Sequence, residues 1–69
     1  NVIAPGMIGT PASIAQFDEA TIATRQGEMP AGRFGAPEEI GELVLFMCSD
    51  ACEFMTADTV YVNGGGGWR

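Results

Sequence analysis

The chain has 69 residues, 46% of them hydrophobic, and nine acidic against three basic side chains give it a net charge of −6. Nucleic-acid affinity comes largely from clustered basic residues that neutralise phosphates, so this composition excludes nucleic acid as the expected partner. No apolar run approaches the ~20 residues that a membrane helix needs, and no charged leader segment with a cleavage site is seen. We therefore expect a cytoplasmic protein with no membrane partner.

Two short strands are predicted from continuous apolar runs, at residues 1–4 and 59–62. The first ends at Pro5-Gly6 because proline donates no ladder hydrogen bond. Continuous apolar strands are typical of a parallel sheet covered on both faces, and the long connection between these two suits a parallel crossover. The sequence predicts α/β architecture, namely a βαβ unit from the end of a doubly wound sheet.

A first helix is predicted after Thr10, because a threonine cap followed by Pro11 at the first helical position is a common helix start. We place this helix over residues 11–26, with a loose apolar stripe. Gly27 ends it, and the glycines and proline that follow predict a loop over residues 27–36.

A second helix is predicted over residues 37–48, where Pro37 and two carboxylates occupy the first turn. An apolar stripe at helical period runs along it, formed by Ile40, Leu43, Val44 and Met47. Leu45 and Phe46 lie off that stripe. We expect one side of the helix to pack on a sheet and the other on a second subunit, with a polar corner and a turn of helix at residues 49–56.

Cys48 and Cys52 lie one helical turn apart, a spacing that invites a metal or disulfide interpretation. Zinc would need four nitrogen or sulfur ligands, and the chain has two sulfurs and no histidine. We expect no metal, and two reduced thiols that are at least partly buried.

Three runs of sequence point to a known family. Residues 1–10 follow the pattern Asn-x-x-x-Pro-Gly-x-Ile-x-Thr, residues 30–40 read Pro-Ala-Gly-Arg-Phe-Gly-Ala-Pro-Glu-Glu-Ile, and residues 62–65 read Val-Asn-Gly-Gly. With Phe46, Ser49-Asp50, Phe54 and Thr56, their order and spacing resemble the C-terminal third of the short-chain dehydrogenases/reductases. Two residues depart from the family pattern: Ala57 stands where the family usually has glycine, and Asn63 where it usually has aspartate. Both departures bring into question the turn geometry at the ends of the last strand.

The resemblance implies an NAD(P)-dependent oxidoreductase that transfers hydride between nicotinamide and an alcohol or ketone. It implies a strand and cofactor loop at residues 1–10, a substrate lid at 11–36, and a helix, last strand and tail at 37–69, as part of a Rossmann-like doubly wound parallel sheet. The partners implied are the remainder of a parent chain, a small-molecule substrate, and other subunits of a homotetramer that meet through the 37–48 helix and the 59–62 strand.

The resemblance also implies site residues. Pro5, Gly6 and Ile8 should border the nicotinamide of NAD or NADP, which the sequence does not distinguish, and Thr10 should reach the carboxamide or the pyrophosphate. The substrate contacts implied are Met7, Ile14 and Phe17.

This chain is not expected to contain the catalytic residues. The family uses a tyrosine with a lysine four residues later, whereas Gly65 follows the only tyrosine, Tyr61, at that distance, and the chain has no lysine. Tyr61 is better explained as a strand residue, and the glycines from Gly64 onward as a flexible or interface-packed tail anchored by Trp68.

The apolar strand at the start and the missing catalytic pair indicate a C-terminal fragment that is inactive alone. Two alternatives stay open: a non-redox relative of the same fold, and a non-catalytic interaction or oligomerisation module that docks through the 37–48 helix. Arg33 is expected to pair with Glu38 or Glu39 in a structural role.

Overall fold

The computed structural model describes residues 1–66, so the prediction for Trp68 lies outside the described part of the chain. The elements in chain order are β1 (Val2–Pro5), α1 (Pro11–Ile14), α2 (Glu19–Gly27), α3 (Pro37–Met47), a 3-10 turn (Asp50–Cys52) and β2 (Thr59–Val62). The two strands pair in parallel, with Val2 opposite Thr59 and Pro5 opposite Val62. The predicted α/β unit with parallel strands is confirmed.

The prediction of one continuous helix over residues 11–26 is wrong, because α1 and α2 are separate helices. A new helix begins after Asp18, whose carboxylate accepts a hydrogen bond from the backbone N–H of Thr21 at 2.7 Å. Hydrogen bonds from Thr21 hold the pKa of the Asp18 carboxyl below its ordinary value. An aspartate that can cap a new first turn satisfies backbone N–H groups which a continuous helix would have bonded internally.

The loop predicted over residues 27–36 contains an unpredicted contact with the first loop of the chain. Ile8 and Gly35 form an isolated parallel bridge. The N–H of Gly35 donates to the carbonyl of Met7 at 2.9 Å, and the N–H of Gly9 donates to the carbonyl of Gly35 at 2.8 Å. Two distant loops are thus fixed side by side.

The entry to β2 is held by the first residue of the chain. The Asn1 amide donates to the carbonyl of Met55 at 2.9 Å and accepts from the N–H of Asp58 at 3.0 Å. Between these two anchors Ala57 has a φ of +57°, in the left-handed region that favours glycine and costs other residues about 1–2 kcal/mol. The departure from the family glycine therefore strains a turn that the asparagine side chain holds closed.

Helix α3 ends at Met47, one residue before the predicted end. Its apolar stripe faces β1 across an open cleft lined by Asn1, Ile3, Val44, Met47 and Cys48. Val44 is 43% exposed, and no residue of the helix is buried. The expectation that this side packs closely on a sheet is met only in part by the described residues.

Very little of the described chain is buried. The buried apolar side chains are Met29, 8% exposed, and Cys52, 5% exposed. The accessible surface is 4957 Å² for 7.2 kDa, whereas a compact folded monomer of this mass exposes about 4,100 Å². Both cysteines are free thiols, and Cys48 is exposed, so the expected partial burial is wrong for that residue. No helix in residues 1–66 is long and apolar enough to cross a membrane.

Candidate functional site

The loop after β1 and the turn after β2 meet at the carboxyl ends of the two strands. The N–H of Gly6 donates to the carbonyl of Val62 at 2.9 Å. A Cβ at Gly6 would lie 2.7 Å from Cβ and 2.8 Å from Cα of Asn63. Glycine is therefore required here by the neighbouring turn of the same chain. In open α/β sheets this edge is also where ligands bind.

The turn after β2 follows Asn63 and uses two glycines with positive φ, Gly64 at +60° and Gly65 at +81°. The N–H of Gly66 donates to the carbonyl of Asn63 at 2.9 Å, and the Asn63 side-chain oxygen accepts from the N–H of Gly65 at 3.0 Å. Two positive φ values with this closing bond are type I′ geometry. An amide oxygen makes the bond that a carboxylate would make, so the departure from the family aspartate leaves the turn intact.

Thr10 and Ser13 form a reciprocal cap on α1. The Thr10 hydroxyl accepts from the backbone N–H of Ser13 at 3.1 Å and donates to Ser13 Oγ at 2.9 Å. Ser13 Oγ accepts from the backbone N–H of Thr10 at 2.9 Å and donates to the carbonyl of Ile8 at 2.7 Å. Sequence reasoning missed Ser13, although a serine three residues after a threonine cap resembles the known capping box.

Several groups on this loop keep hydrogen-bonding capacity. The backbone N–H groups of Met7 and Ile8 donate to nothing within residues 1–66, whereas the N–H groups of Gly6, Gly9 and Thr10 are all bonded. The Thr10 hydroxyl has its proton and one lone pair engaged by Ser13, which leaves one lone pair available. The loop therefore presents the Ile8 donor and the Thr10 acceptor two residues apart, with the free N–H of Met7 beside them.

The residues expected at the substrate lie in different places. Met7 lines a cavity of about 60 Å³ together with Gly6. Ile14 is 44% exposed and lines a separate open cleft beside Gly9. Phe17 is half-buried, with its ring centre 5.1 Å from the Arg25 guanidinium carbon. The structure brings Met7 and Gly6 together and places Ile14 elsewhere, while Pro5 is exposed at the end of β1.

Arg25 is a residue that sequence reasoning did not select. Its side chain lines the cavity of Gly6 and Met7, and its Nε is enclosed with no hydrogen-bond partner. We name this space the Arg25 cavity; its lining residues are Gly6, Met7, Arg25, Glu28, Met29, Asn63 and Gly66. The sequence signal was weak, since arginine on an amphipathic helix is most often a solvated surface residue.

Arg33 holds the loop at residues 27–36 against the start of α3. Its guanidinium binds both carboxylate oxygens of Glu39, at 2.9 and 2.8 Å, and donates to the carbonyl of Phe34 at 3.0 Å. The expected ion pair is confirmed, with Glu39 as the partner. Hydrogen bonds from Arg33, and then one from the N–H of Ala36, lower the pKa of Glu39 from 4.5 to about 2; the same pairing raises the pKa of Arg33.

A parallel strand pair joined by helices, with a glycine-containing loop at the carboxyl ends of its strands, is the arrangement of α/β proteins with doubly wound sheets. The family profile described as Enoyl-(Acyl carrier protein) reductase matches residues 1–66. The chain belongs to the short-chain dehydrogenase/reductase family.

The similar proteins compared below are considerably longer than this chain. The 3-oxoacyl-acyl-carrier-protein reductase FabG of Aquifex aeolicus is 38% identical over 65 residues, which cover 94% of this chain and 26% of that protein. The crystal structure of a short-chain dehydrogenase/reductase, glucose/ribitol dehydrogenase, from Brucella melitensis aligns with a TM-score of 0.85 at 33% identity, covering 97% of this chain and 27% of that one.

A 4-hydroxyisoleucine dehydrogenase mutant, solved in complex with NADH and succinate, aligns with a TM-score of 0.83 at 25% identity and covers 93% of this chain and 27% of that one. The chain thus spans about a quarter of the length of the relatives it matches.

Proposed function

We propose that this chain is the C-terminal βαβ part of an NAD(P)-dependent oxidoreductase that transfers hydride between nicotinamide and an alcohol or ketone. Similar proteins are reductases and dehydrogenases by name, and one was solved with NADH. In this proposal residues 1–10 carry the cofactor loop, residues 11–36 cover the substrate, and residues 37–69 complete the sheet and a subunit contact.

The observation that carries the proposal is the free donor and acceptor on the loop after β1. A nicotinamide carboxamide presents one carbonyl acceptor and one NH₂ donor. The N–H of Ile8 can donate to the first, and the remaining Thr10 lone pair can accept from the second. A pyrophosphate would need donors from Thr10, and both the N–H and the O–H of that residue are already engaged. We therefore favour the carboxamide over the pyrophosphate for Thr10.

The residues around this pair fit a nicotinamide ring, which supplies or accepts the hydride when bound. Pro5 and Gly6 stand where the strand ends, and their role is to border the ring. Met7 shares the Arg25 cavity with Gly6, which supports a contact with substrate on the same side. Ile14 and Phe17 lie farther along the lid and would contact a larger substrate only.

The catalytic tyrosine and lysine must come from another part of the protein, because this chain has no lysine and its tyrosine lies in β2. The proposed partners are the rest of the parent chain, a small-molecule substrate, and NAD or NADP. We place the protein in the cytoplasm, as a homotetramer formed through residues 37–48 and 59–62. A non-redox relative of the fold would have no use for the carboxamide-matched pair at Ile8 and Thr10.

The test is cofactor binding by three variants of the intact protein. Thr10→Val should weaken NAD(P)H binding by about 1 kcal/mol, the usual net value of one hydrogen bond. Ser13→Ala removes half of the cap but keeps the Thr10 oxygen, so it should lower the melting temperature and leave affinity unchanged. Thr10→Ser should behave as the parent. Titration calorimetry decides, and equal losses in Thr10→Val and Ser13→Ala would assign Thr10 to the cap alone.

A further inference from the structure

Arg25 is the one basic side chain in residues 1–66 outside an ion pair, because Arg33 is bound to Glu39. We propose that Arg25 recognises a carboxylate on the substrate, so that the enzyme acts on hydroxy acids or oxo acids. This inference rests on the proposed oxidoreductase function and adds to it the chemical class of the substrate.

The first argument is the state of the guanidinium. Its Nε is enclosed and has no acceptor in the described residues, which leaves a buried N–H without a partner. The ring of Phe17 lies 5.1 Å from the guanidinium carbon and restricts where the side chain can go. Nε itself is closed to a ligand, but the two terminal nitrogens are not enclosed and form a fork that matches the two oxygens of a carboxylate. A bound carboxylate would give these two nitrogens the acceptors that the described residues do not supply.

The second argument is position. Gly6 and Met7 line the Arg25 cavity, whereas Ile8 and Thr10 do not. Arg25 therefore lies beside the part of the loop that does not carry the proposed carboxamide contacts. A ligand group placed there belongs to the substrate, since the cofactor carboxamide is already matched on the other side by Ile8 and Thr10.

Glu28 limits how much negative charge a substrate group bound at Arg25 can carry. Glu28 lines the same cavity, yet no ion pair joins it to Arg25 within residues 1–66. A substrate carboxylate at Arg25 would meet repulsion from Glu28, so a single negative charge is favoured over two. Glu28→Gln should therefore strengthen the binding of acids.

The experiment compares the intact protein on a panel of oxo acids and on the methyl ester of each acid, with nicotinamide absorbance as the readout. The parent should prefer each acid over its neutral ester. Arg25→Gln should lower kcat/KM for the acids about tenfold to a hundredfold, as expected for a lost charge-assisted hydrogen bond, and leave the esters nearly unchanged. Arg25→Lys should recover part of the loss, and Glu28→Gln should shift the ratio toward acids.

The outcomes separate this inference from the proposed function. Equal turnover of acids and esters by the parent, or an equal loss on both in Arg25→Gln, overturns the carboxylate site while hydride transfer stands. A melting temperature measured for each variant shows whether an equal loss reflects damage to the fold. No nicotinamide-dependent turnover of any oxo compound, acid or ester, would overturn the proposed function itself.

Discussion

The loop cluster at the strand ends and the outer face of α3 differ in whether their groups find partners within the described residues. The loop cluster comprises residues 5–10, Gly35 and the turn after Asn63. Hydrogen bonds within the chain hold its shape, while the N–H groups of Met7 and Ile8 and one lone pair of Thr10 stay open. The outer face of α3 comprises Leu45 and Phe46, which are 68% and 46% exposed.

This difference indicates what each region needs from other parts of the protein. The loop cluster holds its shape through hydrogen bonds among described residues, so it is organised before a ligand arrives. The face of α3 has apolar side chains with no cover, and apolar area gains free energy only when it leaves water. The site is built locally, whereas the stability of the helix depends on surfaces beyond these residues.

The largest expected effect is on the isolated 69-residue chain. With only Met29 and Cys52 buried among residues 1–66, we predict no cooperative thermal transition and no nicotinamide-dependent turnover by the chain alone, since one core of this size rarely gives much stability. Circular dichroism melting and calorimetry, with the intact protein as control, provide the check. A sharp transition in the isolated monomer would show that α3 needs no further cover.

The next effect concerns the subunit contact that is expected to cover the outer face of α3. In the intact protein Phe46→Glu should split the oligomer before it unfolds the subunit, because a charge buried without a partner costs several kcal/mol. Glu42→Gln, an exposed change on the same helix, is the matched control and should keep the parent mass. Size-exclusion chromatography with light scattering decides. If the Phe46→Glu protein keeps the parental mass, or if the parent is a monomer, Phe46 belongs to the core of its own subunit and not to an interface.

One pair of substitutions compares the two regions directly. Gly6→Ala should destabilise the intact protein by about 1–3 kcal/mol, because the new Cβ overlaps Asn63. Gly41→Ala in α3 meets nothing within 4 Å and should stabilise by about 0.5–1 kcal/mol through helix propensity. Urea unfolding measures both. A destabilising Gly41→Ala would reveal a second surface packed closely on that side of α3.

The smallest effect is the pH dependence of the link between the two regions. The pKa of Glu39 is lowered from 4.5 to about 2, so its pairing stabilises the folded state above pH 4.5 and this contribution is lost as the pH falls toward 2. An NMR titration of the intact protein should find that low pKa, and Arg33→Gln should raise it. An unchanged Glu39 pKa in Arg33→Gln would mean that the Ala36 hydrogen bond alone sets it.

The sequence predicted the elements whose causes are local. Pro37 with acidic residues in the first turn defined the start of α3, and a short apolar run defined β2 at residues 59–62 as the structure has it. The long connection predicted parallel pairing, and the charges near residue 33 predicted its ion pair. Asp18 was the local signal that was overlooked, and it divides the predicted 11–26 helix in two.

Contacts between distant residues were decided by the tertiary structure alone. No sequence pattern indicates that Asn1 ties down the turn around Ala57, that Gly6 lies against Asn63, or that Arg25 shares a cavity with Met7. Each of these depends on the parallel crossover, which brings together residues that are far apart in the chain. The sequence by itself determined element types and family membership, because caps, breakers and apolar runs act within a few residues. The tertiary structure determined which donors, acceptors and charges remain free at the site, because their partners come from across the sheet.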